Sequence, residues 1–131
     1  MANNRNNMYD DKVVETLYDL NSKGSIVSVV WDNVCKNKKL SENFMRTYKS
    51  FMDYLAISRY QNLSEEFIYE FADKLDWTML SIHQKLSEKL MRDFKDRLSW
   101  IFISEKQELS EEFIIEFRKF LNWEIVCGEQ N

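Results

Sequence analysis

LSEEFIYEFADKLDWTMLSIHQK, residues 63–85, is preceded directly by LSENFMRTYKSFMDYLAISRYQN (40–62) and followed by LSEKLMRDFKDRLSWIFISEKQE (86–108) and LSEEFIIEFRKFLNWEIVCGEQN (109–131). Leu-Ser-Glu thus opens at Leu40, Leu63, Leu86 and Leu109, a period of 23 residues. So short and regular a period marks stacked helical units rather than one globular enzyme fold. The four copies also act as an internal alignment, showing which positions hold and which drift.

Counting positions from the leucine, apolar residues hold at one, five, six, nine, thirteen, fifteen and eighteen. In the second copy these are Leu63, Phe67, Ile68, Phe71, Leu75, Trp77 and Leu80. Positions five, six, nine and thirteen share one helical face. Ser64 is a natural N-cap, with Glu65 and Glu66 in the first turn where the helix dipole favours carboxylates. Position fourteen is Asp53, Asp76, Ser99 or Asn122, a second N-cap, followed by Tyr54, Trp77, Trp100 or Trp123. The pattern predicts a helix A of about ten residues, a one-residue cap, and a helix B of about seven or eight. Isolated helices below ~12 residues are marginal in water, so stacking against the next copy must stabilise them. The expected fold is all-α, with short helix-pair tandem repeats stacked as a small α-solenoid or right-angled helical array. Trp31, Tyr54, Trp77, Trp100 and Trp123 are expected as its structural core, sealed between layers.

Upstream of Leu40 the repeat decays. VVWDNVCKNKK keeps Trp31 at the aromatic position and Cys35 at position nineteen, and DDKVVETLYDL carries Val13, Val14, Leu17 and Leu20 at helical spacing before Gly24. Residues 8–39 are read as an atypical helical N-terminal capping repeat, and the Asn-rich residues 1–7 as a disordered tail. The whole chain of 131 residues has 44% hydrophobic and 31% charged residues, a folded composition. With no Pro and only Gly24 and Gly128, it argues against a strand-and-turn fold. The net charge of −4 is spread over interspersed signs without a basic block, which argues against a nucleic-acid partner. The polar start and the lack of any run near ~20 apolar residues predict no export signal, no membrane span and a cytoplasmic location.

The wording ISRYQNLSEEFI, with Asp-Trp and Leu-Ser-Glu recurring at this interval, resembles short tandem helical repeats of the LSEEFI…DW…IS-x-x-Q type in predicted proteins of large DNA viruses and bacteriophages. The resemblance covers residues 40–131. It implies a helical array and a viral or phage origin, and no catalytic residue, because the matched positions are core and caps. Leu90 for Phe, Tyr54 for Trp, and Cys127-Gly128 in the last copy depart from the pattern, the last implying a terminal helix that ends early.

Several recurring side chains invite a chemical reading. Glu42, Glu65, Glu88 and Glu111 form an acidic ladder that could mimic a nucleic-acid backbone in a partner's basic groove, but glutamate also follows serine because helix N-termini favour anions. The aromatic ladder could stack bases or line a ligand groove, yet its spacing favours core packing. Gln61, Gln84, Gln107 and Gln130 hold position twenty-two, either as a polar binding stripe or, the favoured reading, as ties for the turn between helix B and the next helix A. Cys35 and Cys127 fall at equivalent places several layers apart, too far for a disulfide, and read as small buried residues in a reducing compartment. His83 shares its position with Tyr60, Lys106 and Glu129 and reads as a surface residue. One histidine and two distant cysteines assemble no zinc site, and two glycines make no phosphate loop, so neither cofactor, metal nor catalytic residues are expected.

Binding is expected at the positions that drift. Position seven runs Arg46, Tyr69, Arg92, Ile115, and position eleven includes Asp73 and Asp96. Arg and Tyr are residue types enriched at interface hot spots. The last copy adds Phe120 where Lys74 and Arg97 stand in its neighbours, and with Ile115 this points to residues 124–131 folding over that end, a homodimer through the C-terminal repeat, or a partner there. The expected function is non-enzymatic, stoichiometric binding of another protein, a host factor or defence component such as a CRISPR nuclease. A nucleic-acid mimic and a self-assembling scaffold are the alternatives.

Overall fold

The computed structural model describes residues 26–129, with side chains from Trp31 to Gly128. The proposed tail, residues 1–7, most of the capping repeat, residues 8–25, and Gln130 lie outside the described residues. The described part is all-helical: α1 (Ile26–Asn37), α2 (Glu42–Thr47), α3 (Tyr54–Tyr60), α4 (Glu65–Glu70), α5 (Trp77–His83), α6 (Glu88–Asp93), α7 (Trp100–Lys106), α8 (Glu111–Glu116) and α9 (Trp123–Glu129). It divides into two compact units, Met1–Asn62 and Leu63–Asn131, a boundary that falls between the first and second copies. In the first unit α1 packs on α3; in the second, α7 packs on both α5 and α9.

Each copy is a helix pair. Ser41, Ser64, Ser87 and Ser110 cap helix A, their hydroxyls accepting from the amides of Phe44, Phe67, Leu90 and Phe113. Helix A is shorter than its pattern implied. Its α-helical part spans six residues, and the chain then tightens, as where Lys74 N–H reaches the Phe71 carbonyl at 2.9 Å. In the first copy this turn is a 3-10 helix at Lys49–Phe51. Asp53, Asp76 and Asn122 cap helix B through their side chains, whereas Ser99 makes no side-chain cap bond. Phe67, Ile68, Leu80, Leu90, Met91, Ile103 and Phe113 are fully buried, as their repeat positions require.

Three polar links join successive copies. Gln107 donates to the carbonyls of Ser81 and Gln84, both at 2.9 Å, and accepts from the Leu86 amide at 3.1 Å. It thereby closes the turn between α5 and α6 from one repeat further on. Gln61 does the same in the first unit, donating to Cys35 and Lys38 carbonyls and accepting from Leu40 N–H. Their amides are buried, and a helix end buried without partners would be costly. The recurring glutamine is thus a structural tie.

The second link is at position nineteen. Ser81 Oγ accepts from Ser99 N–H at 3.1 Å, and Ser104 Oγ from Asn122 N–H at 2.9 Å. Cys35 takes this role in the first unit, its Sγ accepting from Asp53 N–H at 3.5 Å. The third link uses the repeat's signature. The Glu65 carboxylate accepts from both the amide and the hydroxyl of Ser87 at 2.8 Å, and Glu88 accepts likewise from Ser110 at 2.7 and 2.9 Å.

Ile26–Asn37 is one continuous helix, so Trp31 lies mid-helix and not after a cap. Its ring is buried at 2% exposure among Phe44, Tyr48 and Phe51, and its Nε1 finds no hydrogen-bond partner among the described residues. The two cysteines also differ: Cys35 is buried, but Cys127 is exposed. Both are free thiols.

Replacing Gln107 with Ala should lower unfolding stability by about 2–4 kcal/mol in urea titration, since two carbonyls and one amide lose their buried partner. Gln107→Glu should be worse at neutral pH, because a carboxylate cannot donate to Ser81 and Gln84, and should recover partly as acid protonates it. Equal stability of the Glu variant and wild type would remove the glutamine tie. Burial pushes the Cys35 thiol up from its ordinary value, so a thiol reagent should modify Cys127 in the native protein and Cys35 only on unfolding. Two rapidly reacting thiols would contradict this placement.

Candidate protein-binding surface

The aromatic ladder is where the structure corrects the sequence reading most clearly. Trp77, Trp100 and Trp123 donate their indole N–H to the carbonyls of Ala72, Lys95 and Arg118, each at 2.9 Å. Tyr54 does the same with its hydroxyl, at 2.7 Å from the Lys49 carbonyl. These carbonyls end helix A, so the aromatic at position fifteen is a C-terminal cap as well as a packing surface. That bond holds the ring at the edge of the layer. Tyr54, Trp77 and Trp100 are only partly buried, and Trp123 is 46% exposed. Among the five aromatics, only Trp31 is sealed in the core.

Each partly buried indole still meets the next copy. The Trp77 ring lies 4.6 Å from that of Phe94, and Trp100 lies 5.1 Å from Phe117 and 5.2 Å from Phe120. Phe120 therefore faces back toward Trp100 and does not form the forward end of the last repeat. Among the described residues Trp123 has no ring partner.

The drifting positions chosen as the outward face prove to be largely inter-repeat contacts. Tyr69 donates to Asp93 at 2.5 Å, with Lys89 beside both. The Tyr69 bond holds the Asp93 carboxyl below its usual range, with Lys89 adding to the effect. Arg92 pairs with Glu116 at 2.9 Å, and Asp73 with Arg97 at 2.8 Å. Arg46 lies 3.6 Å from Glu42 in its own helix. Apart from the half-buried Arg46–Glu42 pair, these pairs are solvent-exposed and individually weak, but they engage the very side chains proposed to reach a partner. Asp96 is exposed, and Ile115 is 61% exposed with no polar function.

The acidic ladder is not a free ridge. Glu65 and Glu88 turn their carboxylates onto Ser87 and Ser110 and are partly buried; Glu111 is exposed. Carboxylates engaged by two donors each present little charge to a basic groove. Large apolar side chains remain exposed elsewhere: Leu55 (54%) on α3 in the first unit, Ile101 (51%) on α7 in the second. Neither stood out in the sequence, because position sixteen also holds Thr78 and Glu124.

A shallow hollow of about 460 Å³ opens at the turn from Gln84 to Ser87, against Lys106 to Glu108. Its buried polar side chains, Gln84 and Gln107, are engaged in the tie described above. His83 borders it and is exposed. Among the described residues no three His, Cys, Asp or Glu side chains group as metal ligands, and no helix is long and apolar enough to cross a membrane. Comparison with protein-family models, with curated proteins and with solved structures finds no match to this chain.

The indole cap makes a direct prediction. Trp100→Tyr should be mild, since Tyr54 shows that a phenol can reach the same carbonyl, while Trp100→Phe should cost about 1 kcal/mol more by leaving Lys95 O without its donor. Chemical denaturation of the three proteins checks the order. A Phe variant as stable as the Tyr variant would reduce position fifteen to packing alone.

Proposed function

We propose that this chain is a non-enzymatic protein-binding module that works by stoichiometric occupation of another protein. The observation that carries this reading is a division of roles among its side chains. The recurring polar groups, Gln61, Gln107, Ser81, Ser104, Glu65 and Glu88, are engaged in links between copies and are not displayed for chemistry. What the chain displays is apolar side chains that differ from copy to copy, among them Leu55, Ile101 and Ile115. Exposed apolar groups set among polar residues are surfaces a protein partner covers.

The resemblance of residues 40–131 to viral and phage repeats gives this reading its biological direction. The partner is then a host protein met in the host cytoplasm, and a bacterial defence nuclease of the CRISPR type is its most concrete form. Blocking such an enzyme requires only shape and charge complementarity, with no reaction on the inhibitor's side.

Mixing the chain with such a nuclease should give a complex of fixed stoichiometry by light scattering. Nuclease activity should fall linearly to an endpoint at that ratio. Leu55→Lys or Ile101→Lys, at exposed positions that leave folding intact, should shift the endpoint or abolish it. Turnover of the nuclease or its guide by catalytic amounts of the chain would overturn the non-enzymatic reading. If neither a nuclease nor any protein from a bacterial host forms such a complex, the binding reading falls as well.

A further inference from the structure

Helix B has one form in all four copies: Tyr54–Tyr60, Trp77–His83, Trp100–Lys106 and Trp123–Glu129 each span seven residues and start at the aromatic. That aromatic donates to the carbonyl five residues before it, on Lys49, Ala72, Lys95 or Arg118. Within α1, residues 31–37 have the same length and the same kind of first residue, but the helix continues upstream through residues 26–30. The far end of this stretch is fixed as in the other copies. Gln61 donates to the Cys35 and Lys38 carbonyls, and Cys35 Sγ accepts from the Asp53 amide.

The near end differs. The carbonyl five residues before Trp31 belongs to Ile26, and in a continuous helix it takes the Val30 amide instead. The Trp31 indole N–H, on a side chain only 2% exposed, has no acceptor among the described residues. An unpaired buried donor is unfavourable. The first turn of α1 is also weak by composition. Residues 26–30 read Ile-Val-Ser-Val-Val, and β-branched side chains lose rotamer freedom in a helix. Val30 stands where Asp53, Asp76 and Asn122 cap helix B, and it has no side-chain acceptor with which to cap. Ser99 shows that the break before helix B persists without a side-chain cap bond.

We propose that residues 26–30 are a conformational switch with two settings. In one, α1 is continuous and the Ile26 carbonyl holds the Val30 amide. In the other, the helix starts at Trp31, residues 26–30 open into a turn, and the indole takes the Ile26 carbonyl. Both settings keep residues 31–37 in place, because Gln61 and Cys35 tie them to the copy that follows. Opening gives up amide bonds at a helix end, which fray at little cost, and satisfies a donor inside the aromatic cluster of Phe44, Tyr48 and Phe51. The two settings therefore lie close in free energy, and anything that binds one of them better shifts the population. The inference does not depend on the protein-binding reading.

Backbone and indole NMR of the full chain tests it. In the wild type, microsecond-to-millisecond exchange confined to residues 26–31 and the Trp31 indole is expected. Val30→Asp supplies the missing cap. It should move residues 26–30 from helical to turn shifts, leave residues 31–37 unchanged, and slow solvent exchange of the Trp31 indole N–H about tenfold or more. Val30→Ser makes the same test without a charge if the aspartate variant does not fold. Trp31→Phe removes the competing donor and should abolish the exchange, with residues 26–30 held helical.

A wild type without exchange at residues 26–31, or folded Val30 variants in which residues 26–30 stay helical, overturns the switch. Undiminished exchange in Trp31→Phe also overturns it, by showing ordinary fraying of a helix end. In each of these cases a stoichiometric nuclease complex sensitive to Leu55→Lys or Ile101→Lys would still stand.

Discussion

A glutamine amide with both ends engaged is the constraint on which this fold depends. Gln107 reaches from the end of its own helix B to the carbonyls of Ser81 and Gln84 and to the amide of Leu86. Helices of six or seven residues have nearly as many unpaired backbone groups at their ends as paired ones inside. Burying such ends against a neighbour is unfavourable unless each carbonyl and amide finds a partner. One side chain with two donors and an acceptor meets three of those needs at once, and it does so from a different repeat. The bond that finishes a turn is therefore also the bond that fixes the next copy's place.

The same economy explains the triplet that marks the repeat. In Leu86-Ser87-Glu88 the leucine is buried, the serine caps its own helix and engages the preceding Glu65, and the glutamate engages the following Ser110. Ser87 has one hydroxyl proton for Glu65 and lone pairs for the Leu90 amide, so its two bonds do not compete. Position fifteen follows a similar rule. Phenylalanine is common in this chain, yet the place after the second cap is tyrosine or tryptophan in every copy, because a donor is needed for the carbonyl that ends helix A.

Period, helix pairs, caps and core positions were legible in the sequence because each follows from spacing within one copy. The donor role of Trp77 and Trp100 was also within reach, from the absence of phenylalanine at their position. What spacing within a copy does not encode is which residues of one copy meet which residues of the next. Position seven drifts from Arg46 to Ile115, and drift reads as solvent exposure. In Tyr69 and Arg92 it instead reflects pairing with a partner, Asp93 or Glu116, that drifts along with it. The exposure of Trp123 and Cys127 was missed for the converse reason: four copies aligned as equals conceal differences in what covers each of them.

Joining copies by side chain to main chain bonds has a consequence for what the surface can do. An interface held only by apolar burial would constrain the identity of every large side chain near it. Here much of the specificity between copies resides in glutamine, serine and glutamate, whose partners are backbone groups or a cap serine present whatever the neighbouring residues are. Side chains beyond those links are free to vary, so Leu55 and Ile101 occupy a position that elsewhere holds Thr78 or Glu124 without altering the frame. A frame so indifferent to its outer residues concentrates stability in the recurring positions and leaves the exposed ones free to change.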